Sequence, residues 1–128
     1  MNSTIKTALI VFAGSGFGGI VRYGMQNWIF RLYPYSFPLG TFTVNICGCL
    51  LIGLFYAISE KGNILSPEWR MALTTGFCGG FTTFSTFAYE NINLLRTGDY
   101  LFFVLYIAGS VILGIAAVFL GIITVKYL

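Results

Sequence analysis

Gly76-Phe77-Cys78-Gly79-Gly80-Phe81-Thr82-Thr83-Phe84-Ser85-Thr86-Phe87 lies inside a hydrophobic segment yet holds three glycines and four hydroxyls. It reads as a helix that breaks and restarts. Glycine leaves helical geometry at the lowest cost, so the pair Gly79-Gly80 is the expected point of rupture. Backbone amides and carbonyls freed at membrane depth cannot face lipid. They are tolerated only where protein buries them or where they line a cavity that holds water or an ion. From Thr82 onward hydroxyls alternate with rings, and Phe84 and Phe87 share one helical face beside Thr83.

The surroundings of this stretch are those of a membrane protein. Of 128 residues, 57% are hydrophobic and only 9% charged, with no histidine. A soluble domain carries about a quarter charged residues. Four apolar runs, near residues 5–33, 40–59, 71–95 and 100–125, take up most of the chain. They predict an all-α integral membrane protein with four transmembrane helices, the third broken near its middle, forming a single domain over residues 1–128. Lys6 and the apolar residues 8–13 imitate a signal peptide, but the run continues to Val21 and further spans follow. A bundle this small has little interior, so a transporting form is expected to oligomerise.

The net charge of +3 comes from basic residues scattered at segment ends, which reads as anchoring at the lipid bilayer surface and not as nucleic-acid binding. Cys47, Cys49 and Cys78 fall within apolar segments with no histidine nearby, and act as small apolar residues before they suggest a metal or a disulfide. With four spans, Lys6, Lys61, Arg70 and Lys126 fall on one side, while Arg31 and Arg96 fall on the other, with Arg22 nearer to them. So weak a bias leaves orientation poorly specified, and two copies inserted in opposite senses are expected to pair.

No buried carboxylate pair, nucleophile with its base, or phosphate loop on a soluble fold is present, so an enzyme is not expected. The polar groups inside the spans are mostly donors: Asn45, Thr43, Thr82, Thr83, Ser85, Thr86, Tyr106 and Ser110, with Arg22 as the one cation. Several have two readings. Asn45 either bonds a neighbouring helix or donates its amide to an anion. Tyr106 and Ser110, one turn apart, either back-bond within their helix or form a donor track. Arg22 either reaches an interface or concentrates anions in a vestibule, and Glu90 is either a proton carrier or a hydrogen-bonded carboxylate. Neutral donors and electropositive ring edges suit a small anion, because they replace water without trapping the ion. The freed carbonyls between Gly79 and Thr82 suit a cation of sodium's size instead.

Three stretches carry a resemblance: Gly18-Gly19-Ile20-Val21-Arg22-Tyr23, Gly40-Thr41-Phe42-Thr43-Val44-Asn45-Ile46-Cys47-Gly48, and the Gly76 to Phe87 stretch. They resemble the signatures of the Fluc (CrcB) fluoride channels, and length and span count agree along the whole chain. The resemblance implies an antiparallel dual-topology homodimer in the bacterial inner membrane with two pores, passing fluoride passively and rejecting chloride. It implies a central structural Na+ on the main-chain carbonyls of Gly79 and Thr82. It also makes Phe84 and Phe87 the pore phenylalanines, Asn45 the pore asparagine, Tyr106 and Ser110 a polar track, and Glu90 a carboxylate near one pore end. Gly114 stands where some relatives carry another hydroxyl. A small dual-topology multidrug or cation exporter shares the length and span count. Such exporters need a carboxylate in the first span, where this chain has Arg22.

Overall fold

The computed structural model describes residues 1–128 and is entirely helical: α1 (Ser3–Leu32), α2 (Leu39–Glu60), α3 (Pro67–Met71), a π-helical stretch (Ala72–Cys78), α4 (Gly79–Phe81), α5 (Phe84–Arg96) and α6 (Tyr100–Lys126). Only 17 of 128 residues are buried, while Phe12, Ile20, Ile115 and Phe119 are more than 60% exposed. A surface so apolar has lipid as its solvent. By length and composition α1, α2 and α6 can each cross a membrane.

Between α2 and α6 the chain forms a rod, Pro67–Phe81, followed by a second arm, α5. Ser66 caps the rod by accepting from the Trp69 amide, with Pro67 at the first helical position. Along the π-helical stretch the Thr74 hydroxyl donates to the Arg70 carbonyl at 2.8 Å and the Ser15 hydroxyl to the Gly76 carbonyl at 3.3 Å.

The break is present but displaced from the glycines. Gly79 has φ −62° and ψ −38°, ordinary helical values, and Gly80 is helical too. Extended backbone appears only at Thr82 (φ −91°, ψ 160°) and Thr83 (φ −151°, ψ 115°). Gly80 serves contact instead: a β-carbon there would collide with the Ser15 carbonyl of α1. On α1, Gly14 and Gly18 answer it, since their β-carbons would strike the backbone of Ala72 and Phe77. The two helices therefore touch through backbone, which is how apolar helices gain attraction where lipid removes the hydrophobic drive. Gly53 and Gly121 play the same part where α2 meets α6.

This packing gives a paired prediction. Gly18→Ala forces a methyl onto the Phe77 carbonyl and is expected to destabilise the protein by about 1–3 kcal/mol. Gly16→Ala, on the same helix with nothing within 4 Å, is expected to be neutral or to gain up to about 1 kcal/mol of helix propensity. Thermal denaturation of the detergent-solubilised protein checks both, and equal losses at the two sites would refute the backbone contact.

Candidate functional site

Thr82 and Thr83 stay extended because their groups are served from elsewhere. The Thr83 amide donates to Asn45 Oδ1 at 2.8 Å, and Asn45 Nδ2 donates to the Thr83 carbonyl at 3.1 Å. One carboxamide on α2 thus clasps both sides of the break. The Thr83 hydroxyl then starts α5, accepting from the Thr86 amide at 3.2 Å and donating to Thr86 Oγ1 at 3.1 Å. Asn45 bonds a neighbouring segment, as one of its two readings held, and its second amide hydrogen remains for another acceptor.

The break leaves the last carbonyls of the rod without helical partners, those of Gly79 and Thr82 among them. The Thr83 amide, given to Asn45, is the one that would serve Gly79, and the Thr86 amide, given to Thr83, is the one that would serve Thr82. Thr82's own hydroxyl is engaged with the Cys78 carbonyl at 2.8 Å. Gly79 and Thr82 both line an open cavity of about 560 Å³. An oxygen-only donor set of carbonyls beside open space fits a hard monovalent cation. These two carbonyls would hold it, and its charge would neutralise dipoles that lipid cannot serve.

Asn45, Thr83, Phe84, Phe87 and Ser110 line the same cavity. The rings of Phe84 and Phe87 lie 5.8 Å apart, and Phe84 is 80% exposed. Ser110 Oγ is buried without any hydrogen-bond partner. It does not back-bond as Thr124 and Thr7 do on their helices, which removes the plain reading of this hydroxyl and leaves a donor with no internal acceptor.

Behind Phe87 stands Tyr106, fully buried, its ring edge-on to Phe87 at 4.8 Å and 70° and to Phe37 at 5.4 Å. Its hydroxyl reaches along to Glu90 Oε2 at 3.4 Å, while Thr41 donates to Glu90 Oε1 and Gln26 Nε2 donates to Thr41 at 3.1 Å. Glu90 is thus a hydrogen-bonded carboxylate, held at the meeting point of two smaller polar cavities of about 370 and 280 Å³ near the chain's Arg31 and Arg96 end. Tyr106 does not back-bond either. Arg22 is half-buried on α1, which contributes nothing to the 560 Å³ cavity, and it sits one turn before Gln26. Gln26 was missed by sequence reasoning, although a carboxamide within an apolar 30-residue helix was a visible signal. Gly114, one turn beyond Ser110 on α6, faces Cys49 Sγ and Ile46.

A family model described as CrcB-like protein, Camphor Resistance (CrcB), matches residues 9–122. The protein named fluoride-specific ion channel FluC from Leptospira interrogans (serovar copenhageni) is 45% identical over 121 residues, covering 94% of this chain and 95% of the relative. The FluC of Phocaeicola vulgatus is 49% identical over 118 residues, covering 92% and 97%. That of Bacteroides fragilis (strain YCH46) is 49% identical over 120 residues, covering 91% and 94%. With its apolar helices, interrupted third segment and donor-lined cavity, the chain belongs to the CrcB family, as a multi-pass bacterial membrane protein.

Proposed function

We propose that this chain is a fluoride-selective passive anion channel, a single transmembrane domain over residues 1–128 with four spans, exporting cytoplasmic fluoride and so giving fluoride resistance. The observation that carries the reading is the wall shared by a carboxamide with one unspent hydrogen, Asn45, a hydroxyl with no partner, Ser110, and the paired rings of Phe84 and Phe87. Every one of these offers positive polarity without full charge. A small anion sheds water onto such groups and is not held by them. Tyr106, with its hydroxyl tied to Glu90, stiffens the back of Phe87 so that a ring edge is presented. Arg22 and Glu90 serve the approach to the pore, and the names of the relatives cited above support fluoride as the ion.

A lone copy leaves the Gly79 and Thr82 carbonyls and the exposed Phe84 ring on an open flank. Two copies placed head to tail cover that flank, bring four such carbonyls around one Na+, and form two pores. This arrangement agrees with the weak difference in positive charge between the two sides of the membrane. Direction needs no coupled ion: a negative-inside potential drives an anion outward with about 2.3 kcal/mol per 100 mV.

Vesicles loaded with fluoride and carrying the purified protein test the reading, with a fluoride electrode outside and potassium carried by valinomycin. Rapid fluoride loss with chloride retained is the expected result. Fluoride retained, or chloride lost equally fast, rejects it, and efflux of a cationic dye would point to the exporter. Protein prepared with N-methylglucamine in place of all Na+ is expected to lose most of its fluoride flux. Unchanged flux after that exchange removes the cation from the scheme while leaving the channel in place.

A further inference from the structure

The Pro67–Phe81 rod has a second, quite different face. Thr75, Cys78 and Gly79 look into the donor-lined cavity. On another side of the rod, Trp69, Leu73 and Phe77 line a groove of about 790 Å³ together with Ala13 and Phe17 of α1 and Phe55 of α2. Its wall is apolar except for one charged residue, Glu68, at the end where the rod begins. There Lys6 Nζ lies 3.5 Å from Glu68 Oε1, with both side chains about half exposed (55% and 49%). Trp69, 63% exposed, stands beside them as an interfacial ring.

We propose that this groove is a phospholipid seat, in which an acyl chain lies between α1, α2 and the rod while Lys6 takes the headgroup phosphate and Glu68 a primary ammonium. A dry groove lined by apolar and aromatic side chains takes an apolar guest, and in a membrane the apolar material at hand is the acyl chain. Charge complementarity selects the headgroup. An exposed Lys–Glu pair is worth little to the fold, so it separates readily to meet opposite charges on a zwitterionic aminophospholipid. Glu68 is ionised for the purpose: its own backbone amide at the helix start, then Lys6, hold its carboxyl below the usual carboxylate range. An anionic headgroup without an ammonium would leave Glu68 opposed to like charge. A second copy of the chain is a poor occupant, because the unserved carbonyls that call for one lie on the other face of the rod.

The test is native mass spectrometry of the full chain in detergent, titrated separately with phosphatidylethanolamine and phosphatidylglycerol. The parent protein is expected to retain the aminophospholipid in preference to the anionic lipid. Ala13→Trp, which fills the groove from an exposed position of α1, is expected to abolish the retained adduct, and Ala13→Leu to weaken it. Glu68→Lys is expected to lower aminophospholipid binding about threefold, the scale of an exposed ion pair, and to raise binding of the anionic lipid. Equal retention of both lipids by the parent, an undiminished adduct in Ala13→Trp and Ala13→Leu, or an unaltered preference in Glu68→Lys would each overturn the proposal.

Discussion

Vesicles carrying Asn45→Asp are expected to lose fluoride about a thousandfold more slowly than those carrying the parent protein. Asparagine spends one amide hydrogen on the Thr83 carbonyl and its oxygen on the Thr83 amide. Aspartate keeps the second bond and loses the first, setting a carboxylate against a carbonyl oxygen. That carboxylate also stands in the wall of the cavity the anion is proposed to cross. At a separation of about 4 Å and an effective dielectric constant near 20, two like unit charges repel by about 4 kcal/mol, a thousandfold in rate. Asn45→Ala separates the two roles: no repelling charge is added, but the clasp is gone and each unserved group of Thr83 costs about 1–3 kcal/mol of stability. The electrode assay measures the first effect and thermal denaturation the second. Asn45→Asp vesicles that empty like the parent would remove Asn45 from the pathway.

Phe87→Ile is expected to slow fluoride loss by about thirtyfold, corresponding to about 2 kcal/mol in the barrier. Isoleucine fills similar space but has no electropositive rim. It also gives up the edge-on contact with Tyr106 at 4.8 Å, the kind of aromatic pair worth about 0.5–1.5 kcal/mol beyond its buried area. Phe84→Ile, at a ring 80% exposed in the isolated chain, tests whether a second copy brings that ring into a pore. A large flux loss there is expected from a dimer, whereas a ring left in lipid would tolerate the change. Parent-like flux from Phe87→Ile would show that no ring edge meets the ion.

Much of this architecture was legible without coordinates, because helices in lipid satisfy their own backbone and depend mainly on local composition. The runs read at residues 5–33, 40–59 and 100–125 correspond to α1 (Ser3–Leu32), α2 (Leu39–Glu60) and α6 (Tyr100–Lys126) to within a few residues. Ser66-Pro67 marked a helix start because its cap is local. Glycines at Gly14 and Gly18 announced close packing by their spacing, and the structure supplies the partner backbone.

Sequence by itself determined the solvent, the helices, the interruption of the third segment and the donor-rich chemistry around it, since all of these follow from residue type and short spacing. Tertiary structure alone decided where the interruption falls. Local propensity points to Gly79-Gly80, but those residues remain helical and Gly80 lets α1 approach. The helix gives way at Thr82-Thr83 because the carboxamide of Asn45, 38 residues earlier than Thr83, replaces the hydrogen bonds lost there. The same limit hid the chain from Gln26 through Thr41 to Glu90 and the orphaned hydroxyl of Ser110. A hydrogen bond between distant helices depends on who faces whom, and no local pattern records that.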